Sequence, residues 1–170
     1  MRGLLEMGDP KRIRKKYETP RHPWRREILE EELKLMGEYG LRNKREIWRA
    51  ASQLRKYRAL ARRLFTAVGE KRIAEESKLI GRLNRLGLLP QGATLDDVLK
   101  LTVKDFLERR LQTIVFRTGL ARTIFHARQL ITHGKVLVGG KKVRAPSYHV
   151  KRGEEEEIRL TEPIKVQSQA

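Results

Sequence analysis

The sequence has no cysteine. That excludes disulfides and any zinc held by thiolates. No run approaches the ~18–20 apolar residues of a membrane-spanning helix, and Met1–Arg14 has no apolar stretch of signal-peptide length. The expectation is a soluble, intracellular protein without a membrane partner. Aromatic residues are scarce, at 6%. A Gly-rich phosphate loop is missing too, because Gly134-Lys135 has no preceding glycine at Walker spacing. His22, His126, His133 and His149 include no pair at the four-residue helical spacing of a zinc motif. The carboxylates Asp96, Asp97 and Asp105 sit at helix starts, where capping explains them. No cofactor, no metal and no enzymatic activity are expected.

Acids are missing in a pattern. Between Tyr39 and Gly69 the sole acid is Glu46, and the span Arg109–Gly153 contains none. Over the whole chain, 39 Lys and Arg face 21 Asp and Glu, a net charge of +18. Such an excess repels itself in the compact state unless a polyanion neutralises it. Nucleic acid is the commonest polyanion of that size, with an anionic membrane surface as the rival. Arg outnumbers Lys, and its planar fork grips phosphate with two hydrogen bonds and stacks on bases; genome composition would produce the same bias.

Along the chain, residues 1–43 read as a basic arm with a cluster at Lys11, Arg12, Arg14, Lys15 and Lys16. Pro20 and Pro23 hold Arg21 and His22 extended, and Trp24 follows. A helix is expected over Arg25–Met36, with Ile28, Leu29, Leu33 and Met36 on one side, interrupted by Gly37 and Gly40. Residues 44–106 read as a helical domain. Ile47, Ala51, Leu54, Ala61, Leu64 and Val68 form one apolar stripe over 44–68, with Arg45, Arg49, Lys56 and Arg63 roughly opposite. A second helix over Lys71–Leu86 would turn Ile73, Ser77, Ile80 and Leu83 inward. Thr94 with Asp97, and Thr102 with Asp105, are capping signals.

Residues 107–170 read as a compact module. One helix is expected from Val103 to about Arg117, broken at Gly119, and a second from Thr123 to His133. The period then changes to that of strands. Val136 and Val138 alternate with Leu137, and Gly139-Gly140 supplies the two positive φ angles of a tight hairpin. Ile158 and Leu160 suit a last short strand. The fold class is α+β: a mostly helical N-terminal part with an extended arm, plus a helix pair and a small antiparallel hairpin sheet. The acid-free surface covers both the helix pair and the hairpin, a geometry able to straddle a phosphate ridge.

Arg109-Arg110-Leu111-Gln112-Thr113-Ile114-Val115-Phe116-Arg117, followed by Ala127-Arg128-Gln129-Leu130-Ile131, His133-Gly134, Val138-Gly139-Gly140 and Pro146-Ser147-Tyr148, resembles the RNA-binding module named after ribosomal protein four of the small subunit. That module also occurs in pseudouridine synthases and tyrosyl-tRNA synthetases. Pro20-Arg21-His22-Pro23-Trp24 and Glu38-Tyr39-Gly40-Leu41-Arg42-Asn43-Lys44-Arg45-Glu46-Ile47-Trp48-Arg49 resemble the N-terminal region of that ribosomal protein in archaea and eukaryotes. The resemblance spans about Pro20 to Leu160. It implies a cytoplasmic constituent of the small ribosomal subunit that binds the 5′ domain of small-subunit ribosomal RNA early in assembly. It also implies a place near the channel through which messenger RNA enters, beside small-subunit proteins three and five. Two features depart from the family. Bacterial relatives often hold zinc through N-terminal cysteines, absent here. Many relatives open the second module helix with Ser/Thr-x-x-Glu, whereas here Thr123 is followed by His126.

The residues expected to contact RNA are Lys11, Arg12, Arg14, Lys15, Lys16 and Arg21 in the arm, and Arg42, Lys44, Arg45, Arg49, Lys56 and Arg63 around the first long helix. In the module they are Arg109, Arg110, Arg117, Arg122, Arg128, Gln129, His133, Lys135, Lys141, Lys142, Arg144 and Tyr148. The competing reading for Arg109, Arg110, Arg117 and Arg128 is intramolecular ion pairing, for which Glu154–Glu157 could fold back. Phe116 is read as core, Tyr148 as either core or stacking, Trp24 as a stacking residue, and Trp48 as packing between the arm and the first long helix. His133 suits a helix C-terminus, where positive charge is favourable. A modifying enzyme would need a catalytic domain for which residues 1–106 are too small. A standalone RNA-binding factor is disfavoured by the Tyr39–Arg49 match.

Overall fold

A computed structural model describes residues 15–161. Lys11, Arg12 and Arg14 of the arm, and everything from Glu162 onward, lie outside the described residues. Among the described residues, ten elements follow one another: α1 (Arg26–Tyr39), α2 (Lys44–Thr66), α3 (Glu70–Arg85), α4 (Leu95–Lys100), α5 (Val103–Glu108), α6 (Leu111–Arg117), α7 (Ile124–Thr132), β1 (Val136–Val138), β2 (Lys141–Lys142) and β3 (Ile158–Leu160). The α+β class holds.

The helical part packs around α2. Its buried stripe is Ile47, Ala50, Leu54, Ala61 and Leu64. Burying a side chain of the size of Ile47, Leu54 or Leu64 stabilises the fold by roughly 1.5–3 kcal/mol relative to leaving it exposed. Two corrections apply to the expected stripe. Ala51 is only half-buried, with Ala50 taking the inward position, and Val68 lies beyond the helix end and is 94% exposed. In α3 the inward residues are Leu79 and Leu83, whereas Ile73 and Ser77 are exposed. The apolar positions there fit two neighbouring faces, and packing selects the one carrying both leucines.

The segment read as an arm contributes to this core. Gly37 does not interrupt α1, which runs on to Tyr39 and is closed by Gly40 at φ 56°. Tyr39 and Leu41 are buried among the helical-part residues, with Leu35 and Met36 packed against them, while Leu33 is exposed. Trp48 on α2 donates its indole N–H to Glu32 of α1 at 2.7 Å. Tyr17 of the arm lies 5.9 Å from the Trp48 ring, centroid to centroid, so Trp48 does pack between arm and helix. Both predicted capping boxes form: the Asp97 carboxylate accepts the Thr94 N–H at 3.0 Å, and Asp105 accepts the Thr102 N–H at 2.7 Å.

The long helix expected over 103–117 is two helices. At Arg109-Arg110 the backbone leaves the helix and pairs with the 148–150 strap. Leu111 N–H donates to the Tyr148 carbonyl at 2.8 Å, Val150 N–H to the Arg109 carbonyl at 3.0 Å, and Arg110 bridges His149. These tertiary hydrogen bonds replace the helical ones and override local propensity. Arg110, extended at ψ 140°, then becomes the residue preceding α6. The alternating residues Tyr148 and Val150 accordingly flank a single isolated bridge at His149 and do not form a strand.

The module core is Leu111, Ile114, Val115, Ala127, Leu130, Ile131, Val136, Val138, Val150 and Ile158. Its sheet has the order β2-β1-β3, antiparallel throughout, with Val138 opposite both Lys141 and Ile158. Gly139 and Gly140 have φ of 55° and 76°, the two positive angles that the two-residue turn requires. Ile124, the first residue of α7, is buried in the core of the helical part. The first residue of the module's second helix therefore packs into the helical domain, while Ala127, Leu130 and Ile131 stay in the module core.

Candidate nucleic-acid interface

The module meets the helical domain along a polar seam. Glu46 of α2 sits at its centre. Its carboxylate accepts from Arg110 at 2.5 Å and from Arg128 at 2.7 Å, with both guanidinium groups arriving from the module. The Arg110 side chain is 5% exposed and that of Glu46 13%. Burial would raise the Glu46 pKa, but the hydrogen bonds from Arg128 and Arg110 outweigh it and hold the carboxyl below its ordinary range. Gln112, fully buried, donates to the carbonyls of Gly40 at 2.9 Å and Ile124 at 3.0 Å and accepts from Arg128 at 3.3 Å. Gly40 is required at this point. A Cβ there would lie 2.7 Å from Ile124 Cγ2 and 2.8 Å from Gln112 Nε2.

The seam continues on both sides. Arg109 pairs with Glu155 and donates to the Val150 carbonyl, and its guanidinium lies over Gly87, where a Cβ would be 2.6 Å from Cζ. Arg117 pairs with Glu108, which also accepts the Tyr39 hydroxyl at 2.8 Å. Burial and the adjacent Glu108 raise the Tyr39 pKa, so the phenol stays a donor. Arg152 N–H donates to the Arg85 carbonyl at 2.9 Å.

These pairs are the intramolecular ion pairing named above as the competing reading. Arg109, Arg110, Arg117 and Arg128 were expected at phosphates, and each is engaged by an acid of the same chain. Two further candidates are also paired: Lys44 with Glu32 at 3.0 Å and Arg63 with Glu75 at 3.4 Å. The acid-free sequence span misled because its partners come from outside it: Glu46, Glu108 and Glu155. Sequence reasoning missed Glu46 and Gln112 as positioning residues. The available signal was Glu46 itself, a lone acid in a basic stretch, which is what a shared counter-ion looks like.

The remaining candidates form a rim around the seam. Arg42, Arg45, Arg49 and Lys56 are exposed along the start and outer face of α2. Arg45 and Arg49, four residues apart, share a face. The Glu46–Arg128 bond brings this face beside α7, whose Gln129 and C-terminal His133 are exposed. Lys135, Lys141, Lys142 and Arg144 continue the rim, the middle two on the hairpin strand β2. Within the described residues, Arg42, Arg45, Arg49, Lys56, Lys135, Lys141, Lys142 and Arg144 form no ion pair. Lys16 and Arg21 are exposed in the arm, and the Lys15 ammonium lies 4.9 Å from the centre of the Tyr17 ring. Arg122 is exposed next to Thr123, which caps α7 by accepting the His126 N–H at 3.1 Å. His126 Nδ1 in turn accepts the Arg122 N–H at 3.4 Å, partly replacing the missing carboxylate of the capping box.

The aromatic residues divide differently than expected. Phe116, read as core, is 39% exposed, because α6 turns it toward the cleft beside Glu38 and Lys104. Tyr148 packs on the module core and donates its hydroxyl to Glu154 at 3.0 Å. Trp24 is 87% exposed. The acidic run folds back onto the module, since Glu154 and Glu155 hold Tyr148, Lys151 and Arg109.

A helix pair and Gly-Gly hairpin, seated on a helical domain and flanked by exposed cations, define the class: an RNA-binding module of the S4 type with an N-terminal helical partner. A family model described as "S4 domain" matches residues 109–156, and one described as "Ribosomal protein S4/S9 N-terminal domain" matches residues 11–108. Their junction falls where α5 ends. The chain is 59% identical over 152 residues to "Small ribosomal subunit protein uS4" of Ignicoccus hospitalis, covering 89% of this chain and 92% of the relative. It is 57% identical over 150 residues to the protein of that name in Hyperthermus butylicus, covering 88% and 85%. It is 49% identical over 166 residues to that of Methanothermobacter thermautotrophicus, covering 96% and 97%. The chain belongs to the archaeal uS4 family of small ribosomal subunit proteins.

Proposed function

We propose that this protein binds the 5′ domain of small-subunit ribosomal RNA, nucleates assembly there, and lies near the channel through which messenger RNA enters, beside small-subunit proteins three and five. The coarser statement rests on family membership: a structural, non-enzymatic constituent of the small ribosomal subunit, acting in translation in the cytoplasm. The observation that supports RNA contact is the rim of exposed cations without acid partners, joined across two domains by one buried ion-pair seam. Folded RNA is recognised largely through shape and backbone, and a rigid two-domain surface carrying fixed charges suits that task. The proposed contacts are Arg42, Arg45, Arg49, Lys56, Gln129, His133, Lys135, Lys141, Lys142 and Arg144, with Lys15, Lys16 and Arg21 from the arm. Lys11, Arg12 and Arg14 join them by charge alone.

Binding to separate transcripts of the 5′ and 3′ domains at moderate salt tests the proposal. The 5′ transcript should bind at least tenfold more tightly, and the protein should remain at one copy per small subunit through a high-salt wash. Equal affinity for both transcripts and for duplex DNA would reduce the protein to a generic polycation.

A further inference from the structure

Between α2, α5 and the 147–149 strap lies a cleft of about 140 Å³. Its rim is Arg49, Gln53 and Ser147, all exposed; its inner wall includes Arg110, Phe106 and His149, with the Glu46 carboxylate that Arg110 neutralises. The Arg110 residue is 4% exposed, and its Nε is buried with no hydrogen-bond partner among the described residues. Its other end is held by Glu46. The seam is also short of negative charge. One carboxylate, Glu46, serves both Arg110 and Arg128, while Arg49 opens onto the same cleft with no acid of its own among the described residues. Burial, with Arg110 and Arg109 close by, lowers the His149 pKa, so this ring favours its neutral form and adds no further positive charge.

We infer that the cleft receives a single phosphate of the RNA, bound through Arg110 at its inner wall and Arg49 at its mouth. The inference rests on the RNA-binding reading above and names where one backbone contact is made. Water filling the cleft would leave the excess positive charge in place. A water needs roughly 10–15 Å³ of such space, so the cleft has room for several waters or for one phosphate group. A guanidinium fork matches phosphate geometry, and Gln53 and Ser147 add neutral donors at the opening. The surface expectation for Arg110 is thereby replaced by a recessed one. It cannot touch a phosphate on the outer surface, but it can touch one that enters this cleft.

Two rim variants of the full chain test this against a 5′-domain transcript. Gln53→Glu places a carboxylate at the mouth, and Gln91→Glu makes the same change on an exposed loop elsewhere. Ser147→Leu narrows the mouth without changing charge. Both rim positions are exposed, so melting should match the parent. Gln53→Glu and Ser147→Leu should each weaken binding about tenfold and lower the log–log salt slope by about 0.7–0.9, the value of one phosphate contact. Gln91→Glu should stay within about twofold, with the parental slope. Parental affinity and slope in Ser147→Leu, in a parent that binds RNA, would overturn the cleft assignment while leaving the RNA-binding reading intact. Absence of salt-dependent RNA binding in the parent would remove both.

Discussion

The arginines of the seam and the cations of the rim look alike in sequence and behave as opposites in the fold. Arg109, Arg110, Arg117 and Arg128 come from one acid-free span, yet each finds an acid: Glu46 or Glu108 of the helical domain for Arg110, Arg128 and Arg117, and Glu155 of the module itself for Arg109. Lys135, Lys141, Lys142 and Arg144 come from the same span and remain exposed. The difference lies in where the elements place them. Arg109 and Arg110 lie at the α5–α6 break, Arg117 at the end of α6 and Arg128 on α7, all beside the helical domain. The rim residues lie on the hairpin and its flanks, where no acid of the helical domain reaches. A basic count therefore overstates the charge available to RNA. Part of it is spent within the fold, holding two domains in one orientation.

The comparison can be broken first at Glu46. Replacing it with alanine leaves Arg110 buried and uncompensated, which should cost about 3–5 kcal/mol, read by urea unfolding. A loss under ~1 kcal/mol would mean that the seam is not what locks the domains. Next, Gly40→Ala forces a side chain into the left-handed region and against Ile124 and Gln112. That should cost about 1–3 kcal/mol from backbone strain alone; an unchanged melting temperature would show that the junction yields.

Acid should sharpen the comparison by attacking the seam. The folded-state pKa of Glu46 is lowered, so its stabilisation is complete above the ordinary glutamate value of 4.5 and is lost as pH falls below it. Asp97 behaves likewise at the start of α4: the Thr94 backbone hydrogen bond brings it from 3.8 to about 2, and its contribution fades between those values. Melting temperature followed downward in pH should therefore drop, and a Glu46→Gln variant should show a shallower drop from a lower start. Parallel curves for parent and variant would exclude Glu46 as a source of the pH dependence. The smallest effect on stability belongs to the rim. Replacing Lys141 and Lys142 with alanine should change unfolding free energy by no more than about 0.5 kcal/mol, and a larger loss would make the hairpin lysines structural.

Much of this arrangement was legible in sequence. The stripe of α2, both capping boxes, the Gly139-Gly140 turn and the strand at Ile158–Leu160 follow from period and turn chemistry, which are local. The break at Arg109-Arg110 was not legible, because its cause is hydrogen bonding to Tyr148 and Val150, some forty residues away. The face chosen by α3 was hidden for a related reason, since Ile73 and Leu79 are equally apolar and only packing distinguishes them. At the site, residue types were legible but partners were not. An ion pair between Glu46 and Arg128 spans 82 positions, and no spacing rule reports it. The same blindness affected Phe116, whose apolar character suits a core that α6 does not turn it toward.

The division between seam and rim is tested most directly by the salt dependence of RNA binding. A variant with Arg45, Arg49, Lys141 and Lys142 all replaced by alanine should lower the log–log slope by about 3, at 0.7–0.9 per phosphate contact, and should melt as the parent does. Arg109→Ala, measured where it remains folded, should lose stability and keep the parental slope. An unchanged slope in the fourfold variant, with the slope falling in Arg109→Ala, would contradict the account.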